Sequence, residues 1–378
     1  MAVLGPRALI DIALPTGVDA ARVFGFQMEE GVTAEQVISM AATMIGDAND
    51  LVSQRYGGIM ARTSRAFARY RQGSGTTTKT PTAAEFAGAD PIRGEQIGNM
   101  LPRNDFQDAL GWSRKFLERA DSELLRFDVM EIRDRWINRV DYDIVLRLLS
   151  SLENQIGAAG YDVPWVNGTS GNVDFIPPQW RGKSFANTHT HFVRVNAAIS
   201  TTNSASALDT MATHLSEHGH VGRKFAIVSE TDIAMYTGIT NGRFAPLIPG
   251  EFRLTAGNSA APALSAAGEL QGIPGELFGF YNSNSGVVEL HSHERFPTGY
   301  LWMGKSYGDN NPSNSLALRE DKKGFGLQVI PQLDRSMVPQ LDKLNFEATH
   351  GVGVNDRTNG VAAQIATGGA SYTEPTIS

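Results

Sequence analysis

The sequence predicts an α+β fold, in which one long helical segment is followed by a mixed α/β region and then by short strands. Between Asp105 and Gly157, apolar residues recur at helical spacing with almost no glycine or proline. Strands and helices alternate from Tyr161 onward, and the chain past Gly272 consists of short apolar strands separated by glycine and proline. A run of helix combined with a run of strands is typical of the α+β class.

The composition excludes several classes of protein. The chain has 378 residues and no cysteine, so disulfide frameworks, thiolate zinc sites and cysteine nucleophiles are ruled out. No apolar run reaches about 18 residues, and the start of the sequence has no basic segment before a long apolar core. We therefore expect neither a transmembrane helix nor a signal peptide, and no membrane partner. The net charge of −7 argues against a dedicated nucleic-acid binder but allows a local basic face.

The first 33 residues combine short apolar runs with turn residues, which predicts an extended arm rather than a domain. A helix is predicted from about Thr33. This residue can cap the helix, because Gln36 stands three positions later at the spacing of a capping box. Val37 and Met40 follow at helical spacing.

Residues 51–84 contain no acidic residue. The basic residues of this stretch are Arg55, Arg62, Arg65, Arg69, Arg71 and Lys79. With Phe67 and Tyr70 between them, they are the candidates for an inter-subunit or DNA-facing surface, because guanidinium and ammonium groups suit contact with phosphate. The alternative is a solvated helix face, or a face that docks on an acidic neighbour.

Residues 80–106 contain proline and glycine at short intervals. No long regular helix survives that spacing, so the sequence predicts a long protruding loop or β-ribbon of about 30 residues. Loops of this length are usually functional or disordered, and binding is one option.

From Asp105 to Gly157 we expect one long helix and then one or two shorter ones. The following region predicts a strand at 192–195, a helix at 205–218, a strand at 224–228 and a helix that opens at 229–232. Further strands are predicted at 276–281, 286–290, 300–303, 325–330, 344–348 and 360–365.

Seven of the eight histidines fall in three clusters. His214 and His218, with Glu217 between them, match the spelling of an inverted zinc-peptidase motif, in which the two imidazoles share one helix face. Gly219 follows at once and predicts that the helix ends there, whereas a zinc helix should continue through its motif. The third ligand would have to come from a strand-like segment, as Glu289 or Glu294 would.

Two further histidine pairs alternate along extended segments. His189 and His191 form one pair and His291 and His293 the other, and either could hold a metal that favours imidazole, with His220 as a further ligand. The competing interpretation is histidine that is exposed or interfacial on strands, or favoured at a helix C-terminus by the helix dipole. The sequence has no P-loop, dinucleotide fingerprint or nucleophile elbow. We therefore expect no catalytic residue, no metal and no cofactor.

Several stretches carry a likeness to a known family. They are residues 100–117, 205–219 with 224–236 (KFAIVSETDIAMY), 273–280 (IPGELFGF), 297–304 (PTGYLWMG) and 346–365. In this order they resemble the major capsid proteins of tailed bacteriophages, which have the Hong Kong ninety-seven-type fold. The resemblance covers about residues 50–366, and it is the order of the stretches that carries it.

The resemblance implies an α+β phage capsid fold with an N-terminal arm, an extended loop, a long spine helix, a peripheral domain and a mixed α/β axial domain. The expected divisions are 1–50 for the arm and first helix, 51–106 for the extended loop, 107–157 for the spine helix of the peripheral domain, 158–335 for the axial domain with flanking peripheral strands, and 336–378 for the C-terminal return strands and tail.

The resemblance also implies a function that needs no catalysis. We expect a major capsid protein of the virion that assembles in the host cytoplasm as hexamers and pentamers of itself, forming an icosahedral shell around double-stranded DNA held by loose contact. Portal, scaffolding and decoration proteins are possible further partners. Charged residues make up 19% of the chain, below the usual ~25%, which agrees with surface buried between copies.

Two other functions remain open from the sequence. One keeps the fold and changes its use, as the shell of an encapsulin-like protein nanocompartment that holds a cargo enzyme. The other is a histidine-dependent metalloenzyme built on the clustered imidazoles.

Overall fold

The structure is a computed structural model, and it describes residues 34–71, 96–113, 116, 119–155, 161–168, 175–240, 242–247, 252–256, 262–266, 270, 272–320, 326–334 and 341–377. The predicted N-terminal arm at 1–33 and the cap residue Thr33 lie outside these residues.

Helices and strands are numbered separately along the described residues. The helices are α1 (Ala34–Tyr56), α2 (Ser122–Leu149), α3 (Thr201–Glu217) and α4 (Ile233–Thr237). The strands of the first half are β1 (Met60–Thr63), β2 (Phe67–Arg71), β3 (Gln96–Met100), β4 (Asn104–Ser113), β5 (Asn154–Gln155), β6 (Tyr161–Asp162) and β7 (Phe192–Val195). Those of the second half are β8 (Lys224–Ser229), β9 (Phe244–Pro246), β10 (Phe252–Ala256), β11 (Pro262–Ala266), β12 (Glu276–Ser283), β13 (Gly286–His293), β14 (Tyr300–Gly304), β15 (Leu316–Glu320), β16 (Gln328–Asp334), β17 (Leu341–Val354) and β18 (Val361–Ile365).

The chain divides into two compact units. The first contains the described residues within Met1–Val52, Asn104–Asp141 and Asp321–His350. The second contains those within Ser53–Arg103, Tyr142–Glu320 and Gly351–Ser378. Both α1 and α2 contribute residues to each unit.

In the first unit, β17 pairs antiparallel with β16 and with β4. Strand β4 occupies the place where the sequence predicted a helix to begin, near residue 105, so that prediction is wrong. Helix α2 begins only at Ser122. Within β4, Phe106, Leu110 and Trp112 are less exposed than their immediate neighbours. This period of two is the signature of a strand with one covered face, and the same apolar residues also fit a helical stripe.

A buried amide organises the first unit. The Asn49 side chain on α1 donates to the Leu327 carbonyl at 3.0 Å and accepts from the Leu327 N–H at 3.0 Å. The indole N–H of Trp136 on α2 donates to the same Asn49 oxygen at 3.1 Å. Gly326 has a φ of +102°, and a Cβ at this position would overlap the Asn49 amide. One polar side chain therefore joins two helices to the segment that leads into β16.

The second unit is built around a seven-stranded sheet in the order β7-β18-β14-β8-β13-β12-β9. The central strand β8 is buried along its whole length and pairs parallel with β13 and antiparallel with β14. Helix α3 packs on the sheet through Leu208, Met211 and Leu215, which belong to one apolar cluster with residues of five of the seven strands. The strands and helices predicted from residue 192 onward are confirmed here.

A buried ion pair lies at the end of α2 in the second unit. The Arg147 Nη1 atom is 2.8 Å from an Asp162 carboxylate oxygen, and both side chains are almost completely buried. Arg147 also donates to the Ser150 carbonyl at 2.7 Å. Three residues beyond Asp162, the Trp165 indole donates to the Leu148 carbonyl at 2.9 Å. These contacts tie β6 and the segment after it to the last turn of α2. The sequence predicted one or two shorter helices after α2, but the described residues up to 155 contain none.

The second unit also contains β1 paired parallel with β15, and the antiparallel ribbon of β2 and β3. The protruding loop or β-ribbon predicted at 80–106 lies mostly outside the described residues, and its described part includes β3. No helix of the described residues is both long and apolar enough to cross a membrane.

Replacing Arg147 with methionine should lower the free energy of unfolding by about 3–5 kcal/mol, because it leaves the Asp162 carboxylate buried without its partner. Urea unfolding of the purified chain measures this loss. The matched control is Arg133→Met, which removes a solvent-accessible pair with Asp134 on the same helix and should cost less than about 1 kcal/mol. Equal losses for the two variants would contradict the assignment.

Candidate functional site

Three of the predicted basic residues line one open groove in the second unit. The groove encloses 890 Å³ between β1, the turn that follows it, β2, and the loops around Asn310 and Asn355. Arg62, Arg65 and Arg69 contribute its basic side chains, and all three are exposed. We call this surface the basic groove. It arises because β1 and β2 are joined by only three residues, which brings arginines from both strands to one place.

One arginine of the basic groove already has an acidic partner. The Arg62 Nε and Nη2 atoms donate to the two Glu320 carboxylate oxygens at 2.8 and 2.9 Å, the geometry of a bidentate pair. The parallel pairing of β1 with β15 sets this contact, because Arg62 and Glu320 stand near the same end of the two strands. The positive charge of Arg62 is thus balanced within the chain.

Arg65 and Arg69 supply the other two positive charges of the basic groove. Within the described residues, neither guanidinium lies in an ion pair. Phe67 stands between them with 61% of its surface exposed. Two exposed guanidinium groups beside an exposed aromatic ring are suited to an anionic partner such as a phosphate backbone.

Of the other predicted basic residues, Arg55 does not line the basic groove. The Arg55 Nη2 atom on α1 lies 3.2 Å from the His293 Nε2 atom, and its guanidinium lies 5.6 Å from the centre of the Tyr56 ring. Arg71 ends β2, and Lys79 lies outside the described residues.

The ribbon that carries Arg69 has a well-packed base. The Tyr70 hydroxyl donates to the Val354 carbonyl at 2.7 Å, and the Tyr70 ring meets the edge of Phe175 at 6.0 Å. The Arg357 guanidinium lies 4.4 Å from the Phe175 ring centre. Burial raises the pKa of Tyr70 far above its ordinary value, so its hydroxyl stays a hydrogen-bond donor at any physiological pH. This packing holds β2, and with it Arg69, in place.

A second candidate site is a cluster of histidines in the same unit. Ring nitrogens of His189, His191 and His218, one from each residue, lie within 4.8 Å of one another. We call these three residues the histidine cluster. The prediction that His189 and His191 lie on a strand is wrong, because both precede β7 in an irregular segment. They come together with His218 because this segment passes the C-terminal end of α3.

The inverted zinc-peptidase motif is only partly formed. Helix α3 ends at Glu217, His218 is its C-cap residue and Gly219 has a φ of +92°, as the sequence predicted. His214 lies beside the histidine cluster, with its ring centre 5.5 Å from that of His189. The proposed third ligand Glu289 forms an ion pair with Arg223 at 2.5 Å.

The remaining paired histidines have other roles. The His220 ring nitrogens lie 2.8 Å from the Tyr307 hydroxyl and 3.0 Å from the Thr358 hydroxyl. His291 and His293 are buried on β13, where the Nε2 atom of His291 faces Glu289 at 3.4 Å.

Burial sets the protonation of the histidine cluster. It lowers the pKa of His189 to about 4 and that of His218 to about 2, and the neighbouring imidazoles add to both shifts. Burial, with His218 next in effect, also lowers the pKa of the fully buried His191 well below its ordinary value. All three imidazoles are therefore neutral at pH 7, so the helix dipole does not hold a proton on His218.

Sequence reasoning missed two features of these sites. Glu320 is 258 positions from Arg62, and nothing in the local pattern marks it as a partner. The sequence shows that His189 and His191 alternate. It does not show that they lie beside His218, because that contact depends on the tertiary path of the chain.

The described fold matches solved phage structures, although no protein-family model and no curated protein matches the sequence. A structure described as mycobacterium phage Patience aligns over 94% of this chain and 94% of its own, with a TM-score of 0.61 and 17% sequence identity. The capsid of a native GTA particle aligns over 84% and 90%, with a TM-score of 0.49 and 12% identity. The mature capsid of bacteriophage PhiM1 aligns over 82% and 86%, with a TM-score of 0.47 and 10% identity. The likeness to the mycobacterium phage structure confirms the predicted α+β class: the chain shares the fold of that phage structure.

Proposed function

We propose that this chain is the major capsid protein of a tailed phage, which assembles as hexamers and pentamers into an icosahedral shell around double-stranded DNA. The observation that carries the proposal is the fold likeness to a phage structure over 94% of both chains. The order of sequence stretches resembling phage capsid proteins supports it independently, because it was found without any coordinates. The role is structural and requires no catalytic residue.

The elements fit the parts that such a subunit needs. In this proposal, α2 is the spine helix, and the ribbon of β2 and β3 belongs to the extended loop expected at 51–106. The seven-stranded sheet with α3 belongs to the axial domain, and β17 and β18 are the return strands. The spine begins at Ser122 rather than at 107, because β4 occupies the start of that range.

Exposed apolar side chains supply surface for contacts between copies. Leu124 and Phe127 stand one helical turn apart at the start of α2, with 44% and 60% of their surfaces exposed. Large apolar side chains that cluster on an exposed face favour association, because association removes them from water. Heterologous contacts of this kind generate rings when the rotation closes.

Partners beyond the chain itself also belong to the proposal. With a net charge of −7, the subunit would hold DNA only by loose contact, and the basic groove is the surface suited to that contact or to an acidic neighbour. Portal, scaffolding and decoration proteins are the further partners that a phage head implies. The shell would assemble in the host cytoplasm and end in the virion.

The first test is particle formation by the expressed chain. We expect closed shells in negative-stain images and, in particles from infected cells, DNA that resists nuclease. A co-purifying enzyme without protected DNA would instead indicate an encapsulin-like compartment. Only small soluble particles, accompanied by turnover of a substrate that depends on bound metal, would indicate the metalloenzyme.

The double substitution Arg65→Gln and Arg69→Gln tests the basic groove. We expect a severalfold lower yield of DNA-filled heads, because two exposed positive charges of the basic groove are lost while the Arg62–Glu320 pair is kept. Sedimentation of filled against empty particles measures this yield. The matched control replaces Arg119 and Arg181, two exposed arginines outside the basic groove, with glutamine. If both pairs of substitutions lowered the yield equally, net charge rather than the basic groove would be responsible.

The substitution Phe127→Ser tests the exposed face of α2. We expect shell assembly to require at least a severalfold higher subunit concentration, because a large apolar contact between copies is lost. Light scattering during assembly measures the threshold. The melting temperature of the unassembled subunit should stay within about 1–2 °C, since an exposed side chain contributes little to folding. An unchanged assembly threshold would exclude this face as an interface.

A further inference from the structure

The histidine cluster has the geometry of a site that the proposed function does not use. The Nε2 atoms of His189 and His218 are 2.9 Å apart. In a tetrahedral zinc site with Zn–N distances of 2.0–2.1 Å, two ligand nitrogens are separated by about 3.3 Å. The ring centre of His191 lies 5.1 Å from that of His189 and 4.8 Å from that of His218. The three rings therefore surround a point that a small cation could reach with little movement.

One hydrogen bond of the His191 side chain orients its ring for binding a cation. Its Nδ1 atom lies 2.7 Å from the Gly360 carbonyl, so Nδ1 carries the proton and donates it. Its Nε2 atom is then left as an acceptor. That nitrogen is completely buried and has no hydrogen-bond partner in the part of the chain that the structure describes. A backbone carbonyl that fixes the tautomer behind a ligating histidine is the usual support of a metal ligand.

An unpartnered nitrogen at this place needs a physical reason. Leaving a buried acceptor without a hydrogen bond costs about 1–3 kcal/mol, and native chains seldom tolerate it without a gain elsewhere. The neutral state of the three imidazoles is also the state that binds a metal ion. Phe185 stacks on the His218 ring at 4.1 Å and covers one side of the histidine cluster.

The charges around the histidine cluster are compatible with a cation. Glu217, the residue before His218, forms an ion pair with Lys183, so the ammonium group nearby is balanced by a carboxylate. The Nδ1 atom of His214 lies 2.8 Å from the Thr210 carbonyl, which holds that imidazole in place beside the site. His214 is not among the residues whose ring nitrogens converge within 4.8 Å.

We propose that His189, His191 and His218 bind one divalent first-row transition metal ion of the zinc class, with a water molecule in the fourth position. Three imidazoles without a thiolate or carboxylate suit Zn²⁺, Ni²⁺, Cu²⁺ and Co²⁺ rather than Mg²⁺ or Ca²⁺. The ion joins the irregular segment before β7 to the end of α3, and it therefore stabilises the second unit. This inference is independent of shell assembly, because all three ligands come from one chain.

Titration of the untagged full-length chain with Co²⁺ tests the proposal. We expect one Co²⁺ per chain with the visible absorption of a tetrahedral site, displaced by an equal amount of Zn²⁺. The melting temperature of the unassembled subunit should rise by a few degrees in Zn²⁺, because the ion binds only the folded state. A chain that retains no stoichiometric Co²⁺ after dialysis would overturn the proposal.

Single substitutions locate the ligands. His189→Gln and His218→Gln should each weaken Co²⁺ binding by more than about tenfold and remove the rise in melting temperature. Both positions are only partly buried, so a glutamine can be accommodated, and far-UV circular dichroism checks that the fold is kept. His293→Gln is the control, a buried histidine outside the histidine cluster, and His214→Gln tests the fourth position. Both should bind Co²⁺ as the wild type does. Equal binding by His189→Gln and the wild type, or loss of binding in His214→Gln, would overturn the assignment of these three ligands.

Discussion

The buried ion pair between Arg147 and Asp162 is the constraint on which much of the second unit depends. Taking both charges out of water costs several kcal/mol for each, and only close contact and further hydrogen bonds offset that cost. The 2.8 Å pair and the 2.7 Å bond from Arg147 to the Ser150 carbonyl provide them. Any path of the chain that separated β6 from the end of α2 would leave two unpaired buried charges. The pair therefore favours the packing in which β6 and the end of α2 meet.

The segment that follows Asp162 contacts both candidate sites, so the ion pair helps to position them. Two residues after Asp162, the Pro164 carbonyl accepts from Arg357, whose guanidinium packs beside Phe175 at the base of the ribbon that carries Arg69. The Val166 carbonyl accepts from the backbone N–H of His191 at 2.7 Å. One segment, residues 161–167, thus sets the position of the basic ribbon and of the histidine cluster together. Packing of this segment beside residue 360 also requires a glycine there, because a Cβ would overlap the Trp165 ring.

The sequence alone predicted the elements whose signal is local. The buried strand β8 and helix α3 carry their periodicity within their own residues, and Gly219 marks the end of α3. The start of α3 was predicted four residues late, because the cap residue Ser200 was not recognised. Strand β4 was misassigned because its alternation becomes decisive only when β17, more than 200 residues later, pairs with it in a sheet. The same limit explains why Arg62 was grouped with the free arginines, since the partner Glu320 comes from a distant strand. Long-range pairing carries information that no local window contains.

The fold by itself does not distinguish a DNA-filled head from a compartment filled with protein, because both would use the same shell subunit. The two kinds of shell would differ in the charge that the subunit presents to the contents. In this chain, that charge depends on which arginines have an acidic partner. The acid-free run at 51–84 looks uniformly basic in the sequence, yet within the basic groove Glu320 cancels Arg62 and leaves Arg65 and Arg69. In the proposed head, Arg65 and Arg69, repeated over the shell, would hold a polyanion by many weak and salt-sensitive contacts rather than by one strong site. Such contacts would retain DNA without fixing its path, which is the balance that packaging and release both need.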